Sequence, residues 1–165
     1  MKKPHFFDAK RYLFAGTLML AAVFMVSCDK DDDDKPDPAN ARYTITGTAN
    51  GQQLTPPVEG SGSASFNGTY DSLNRQLIFT SAWTNLSGAP TSASFYNGQT
   101  GASGTPIGSA WTFDPSAAAS GTYTDTINVS SDQVQALLNG NWYYIYNTGT
   151  NANGEIRGQL AATRQ

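Results

Sequence analysis

Glu155 and Arg157, two residues apart in "GEIRGQL", form the closest pair of charges after residue 41. Alternate residues of a strand share a face, so Glu155, Arg157 and Gln159 would make one polar strip while Ile156 and Leu160 point the other way. Such a strip is either a binding surface or a structural Glu-Arg pair that fixes a hairpin and its neighbouring loops. The planar fork of arginine matches a carboxylate and no general acid or base stands nearby, so the structural pair is expected. Nucleophilic and metal chemistry lack their parts. The single histidine, His5, and the single cysteine, Cys28, both precede residue 42. Ser-His-Asp and Cys-His arrangements are thereby excluded from the rest of the chain, and zinc or copper would miss its usual ligands. Asp114, Asp125 and Asp132 are scattered and lack the spacing of a calcium loop. No metal site, no cofactor and no enzymatic activity is expected. The remaining group is aromatic: Trp142, Tyr144 and Tyr146 fall on one face of a strand, with Trp83 and Tyr96 on others. Exposed, these rings would stack on sugars. Turned inward they would fill a core, the commoner fate of strand aromatics and the expected one.

The elements that must hold these residues are short β-runs separated by Gly, Ser, Asn and Pro. "RYTITGTA", "SASFNGTY", "RQLIFTSAWT", "TSASFYNG", "GTYTDTINV", "WYYIYNT" and "GEIRGQLAAT" recur at short intervals, which favours an all-β antiparallel sandwich or barrel. Only "SSDQVQALLNG" reads as a helix. Ser130 and Gln133 offer a capping box, Val134, Leu137 and Leu138 share a face, and Asn139-Gly140 offers a stop. Asn153-Gly154 suits positive φ and predicts a hairpin between the last two strands. Residues 42–165 suit one domain with a single core. Four arginines there face six acidic residues with no basic cluster, so nucleic acid is not an expected partner.

The N-terminus carries an address. "MKKPHFFDAKR" is basic, and "YLFAGTLMLAAVFMVS" is an apolar run too short for a comfortable bilayer span of about 20 residues. Residues 1–27 therefore read as a cleaved signal peptide. "MVSC" resembles the lipobox of bacterial lipoproteins, which implies acylation at Cys28 and explains a lone cysteine that can form no internal disulfide. "CDKDDDDK" is similar to the acidic export signals of surface lipoproteins, with Lys30, Asp31 and Asp32 at its centre; a plain acidic spacer or a protease-cleavage tag are the other readings. Mutually repelling aspartates stay solvated and Pro36 and Pro38 stiffen the chain, so residues 28–41 are expected to be a disordered tether. The implied location is the outer membrane, lipid-anchored and exposed at the cell surface. "DSL" and "DTI" resemble the Asp-Ser/Thr-apolar context of bacterial O-glycosylation, placing candidate sites at Ser72, in an expected exposed turn, and at Thr126, in an expected strand.

"NGNWYYIYNTGTNANGEIRGQL" is similar to the closing segment of the chordin-type (CHRD) domain, a tyrosine strand, a turn and a Gly-Glu-Ile/Leu-Arg-Gly-Gln motif, here Gly154, Glu155, Ile156, Arg157, Gly158 and Gln159. "GQQLTPPVEGSGSASFNGTYD" and "NRQLIFTSAWTNLSGAPTSASFYNG" resemble its opening and central segments in the same order. The resemblance implies an immunoglobulin-like antiparallel β-sandwich, here with one short helix, and no established activity for bacterial members. Histidines that many members carry correspond here to Ser94, Tyr96 and Asn147, which removes the implied metal site. The expected function is a non-catalytic binding or structural domain on the envelope, with a surface glycan or a protein as ligand. A carbohydrate-binding surface module and a degenerate superoxide-dismutase-like metalloenzyme are the alternatives.

Overall fold

The computed structural model describes residues 40–165. Residues 1–39, with the expected signal peptide, Cys28, Lys30, Asp31, Asp32 and all but the last two residues of the expected tether, lie outside the described residues. Eight strands and one helix follow in order: β1 (Arg42–Asn50), β2 (Ser63–Asp71), β3 (Gln76–Thr84), β4 (Pro90–Asn97), β5 (Thr105–Trp111), β6 (Gly121–Asn128), α1 (Ser131–Leu138), β7 (Trp142–Thr148) and β8 (Ile156–Arg164). No described helix is long and apolar enough to cross a membrane.

All strands join one antiparallel sheet in the order β5-β4-β7-β8-β1-β2-β3-β6. The expected sandwich is thus made by a single sheet curled over on itself. Rings from its two halves meet inside: Phe66 of β2 lies 5.5 Å from Tyr144 of β7, Phe79 of β3 lies 5.1 Å from Trp111 of β5, and Trp83 of β3 lies 5.6 Å from Tyr146 of β7. The period-2 pattern explains this, since β3 turns Leu77, Phe79, Ser81 and Trp83 inward and Ile78 and Thr80 outward.

α1 starts after Ser130, whose side chain makes no capping bond, so the expected capping box is absent. Its end is a Schellman motif: Gly140, at φ +74, donates its N–H to Leu137 O at 3.1 Å, and Asn141 donates to Ala136 O at 2.8 Å. Leu137 is fully buried and Val134 and Leu138 pack beside it, as their spacing predicts. The β7–β8 hairpin forms too, although only Gly154, at φ +125, takes a positive φ there.

β5 has no counterpart in the sequence reading. Pro106 and Gly108, the latter at φ +65, break its pattern, and a bulge shifts its register against β4 between Ala93 and Phe95.

Candidate functional site

β8 places its motif in two layers. Ile156 and Leu160 face the core, and Glu155 and Arg157, just before and within the strand, face outward yet are only 4% and 3% exposed, because loops cover them. Glu155 accepts hydrogen bonds from Ser87 N at 2.6 Å, Ser87 Oγ at 2.5 Å, Thr148 Oγ1 at 2.6 Å and Asn151 Nδ2 at 3.2 Å. Burial is the largest influence on this carboxyl and raises its pKa, but the four bonds together outweigh it and leave the pKa lowered.

Arg157 donates to other partners: Nη1 to Ala102 O at 2.8 Å, and Nη2 to Gln99 O at 2.7 Å and Gln159 Oε1 at 3.1 Å. Its Cζ lies 3.6 Å from the centroid of Tyr143, whose other neighbour is Tyr96, stacked at 5.1 Å and 9°. Tyr143 Oη in turn accepts from Gly104 N at 2.9 Å. Burial lowers the pKa of the guanidinium. No ion pair or hydrogen bond joins Glu155 to Arg157, which corrects the expected Glu-Arg pair. Residues two apart on a strand stand about 6.6 Å apart along it, and here each reaches a different loop. The two charges are thus separate anchors for loops.

Gln159 completes the arrangement. Its Nε2 donates to Gly98 O, Gly140 O and Trp142 O at 2.8 to 3.2 Å, tying the 98–104 loop, the end of α1 and the start of β7 to one amide. Gly158 has a packing role: a Cβ there would lie 2.6 Å from the Tyr144 ring. Each motif position thus has a structural account. The partners Ser87, Thr148, Asn151, Gln99 and Ala102 escaped the sequence reading, since a loop serine or a backbone carbonyl carries no signature of what it will meet.

The CHRD domain family model matches residues 45–160. The chain belongs to the CHRD-domain family. No curated protein and no solved structure matches it. Within this CHRD domain, Ser94, Tyr96 and Asn147 gather on the outer face of β4 and β7, with Ser94 paired to Ile145, Tyr96 to Tyr143, and Asn147 Nδ2 donating to Ser92 Oγ at 2.9 Å. Among the described residues no group of three or more His, Cys, Asp or Glu could hold a metal ion.

Trp142, Tyr144 and Tyr146 each have 0% exposure. Their expected place in the core is the one observed, and the sugar-stacking alternative is corrected: curling of the sheet turns this face inward, where Tyr146 Oη bonds Ser81 Oγ at 2.8 Å. Trp83 is buried as well. For the two modification candidates the structure reverses the order of exposure. Ser72 is half-buried, its N–H bonded to Ala41 O, whereas Thr126 is exposed on the outer face of β6. The Asp71 turn is as expected, with Oδ1 accepting from Leu73 N and Asn74 N.

Proposed function

We propose that the chain is a lipid-anchored protein of a bacterial envelope whose CHRD domain acts in binding or surface architecture and not in catalysis. The observation that carries the non-catalytic half is the state of Glu155 and Arg157. They are the buried charges of the domain, and both are occupied by loop hydroxyls, amides and carbonyls that hold the fold together. A buried acid committed to four hydrogen bonds is a poor proton shuttle. The anchoring half rests on the order of basic segment, apolar run and "MVSC" around Cys28. In this reading the chain's partners are the membrane, through the lipid, and a glycan or protein at the surface.

The test is metabolic labelling with a fatty acid in a bacterial host. Wild-type protein takes up label and sediments with membranes, while Cys28→Ala takes up none and is released, because acyl chains hold on at about 0.8 kcal/mol per buried CH₂. Label that persists in the variant removes the lipid anchor from the proposal.

A further inference from the structure

The curled sheet stops short of closing. β5 and β6 are its two free edges, yet they approach closely enough for Trp111 of β5 to stack on Tyr123 of β6 at 5.0 Å and 2°. Beside that stack the bulge in β5 leaves a cavity of about 260 Å³ between the edges. Its floor is apolar, with Phe95, Ile107 and Trp111 all buried. Its polar side chains are Ser109, Tyr123, Asp125, Asn128 and, from the first turn of α1, Gln133. An apolar cleft with a few convergent polar groups, at the mouth of a curled sheet, is the usual make-up of a small-molecule site.

Asp125 is the unusual residue. Register with β3 pairs Tyr123, Asp125 and Ile127 with the buried Ser81, Phe79 and Leu77, so a carboxylate sits in the inward-facing set of β6. It accepts from Tyr123 Oη at 3.1 Å on Oδ2 and from Thr126 N at 2.7 Å on Oδ1, which leaves each oxygen able to accept again. A hydroxyl both donates and accepts, so it answers the carboxylate and the two amides alike. Asp125 is the only charge lining the cavity and disfavours anions.

We propose that the β5–β6 cavity binds one neutral sugar ring, with the apolar floor against its C–H face and Asp125, Asn128 and Gln133 on its hydroxyls. This rests on the binding reading above and names the ligand class; the site is separate from the buried Trp142, Tyr144 and Tyr146. The full chain is titrated with the methyl glycosides of glucose, galactose and mannose, with glucuronate and n-butylamine beside them, followed by saturation-transfer NMR. Saturable binding of at least one methyl glycoside is expected, with a dissociation constant on the order of 1 mM for a single ring. Asp125→Asn, which keeps the shape, and Ser109→Trp, which fills the mouth from an exposed position on β5, should each weaken it at least about tenfold with unchanged melting temperature. Glucuronate should not compete. No saturable glycoside, equal binding in either variant, or preference for glucuronate or butylamine overturns the proposal. Such a failure leaves lipid attachment at Cys28 untouched, because labelling reads that separately.

Discussion

Glu155 holds a buried negative charge without a cation. Burying an isolated carboxylate is prohibitive, and what offsets it here is the set of neutral donors from Ser87, Thr148 and Asn151. Glu155→Ala would remove the shared acceptor of these groups, of which only Thr148 is buried and whose Ser87 and Thr148 hydroxyls keep each other at 3.0 Å, so a loss of about 1 to 3 kcal/mol, the cost of about one orphaned buried group, is expected from denaturant midpoints. The pH dependence has a definite sign. A carboxyl whose pKa is lowered by folding contributes stability that is full above the ordinary value of 4.5 and is lost as pH falls through the folded value. Glu155→Gln should therefore flatten the acid limb of the stability profile; an unchanged limb would show that other carboxyls carry it. Gly158 is constrained from the opposite side of the strand. The Tyr144 ring occupies the place of a Cβ, so Gly158→Ala should cost about 1 to 3 kcal/mol through forced displacement of that ring, measured as a lower melting temperature.

Two-sided use defines β8 as an element. Its inner residues belong to the aromatic core, and its outer ones fasten loops that a bare sheet face would leave adrift. The 98–104 loop depends on Arg157, through Gln99 O and Ala102 O, and on Tyr143, through Gly104 N. Lysine in place of Arg157 keeps the charge but loses the fork that spans two carbonyls and the flat face that covers Tyr143. Amide exchange in residues 98–104 should accelerate in Arg157→Lys, while exchange in β2 and β3 stays slow. Uniform acceleration across the sheet would mean that the arginine supports the whole core and not that loop. α1 plays a smaller part, closing one end of the core with Leu137 and handing the chain to β7 through Gly140.

Across the whole molecule, stability rests on ring packing between the halves of one sheet. Phe66, Phe79, Phe95, Trp111, Tyr144 and Tyr146 form a continuous network with centroid separations near 5 to 6 Å. Offset, tilted and edge contacts of this kind add about 0.5 to 1.5 kcal/mol per pair beyond burial itself. No metal cluster is available among the described residues to add to it. The full chain should accordingly unfold at the same temperature with and without a chelator. A chelator-induced drop of several degrees would reveal an oxygen-ligand site that contributes to folding.

Residue order alone was enough for the all-β class, seven of the eight strands, the single helix with its Gly140 stop, and the closing motif that marks the family. Those features are local: alternation of side chains, turn residues and φ preferences act over a few positions. β5 was hidden because Pro106, Gly108 and a bulge erase the alternation, and only pairing with β4 makes a strand of it. Tertiary structure also decided what the charged motif does. Glu155 and Arg157 look like partners in the sequence, but each meets other groups: Ser87, 68 residues from Glu155, and Ala102 and Gln99, 55 and 58 residues from Arg157, join the local partners Thr148, Asn151 and Gln159. Curvature of the sheet then settled which aromatic face is inside, burying Trp142, Tyr144 and Tyr146 and leaving β5 and β6 to face each other across a cavity. Such pairings depend on how the chain returns upon itself, and no short stretch of residues encodes that.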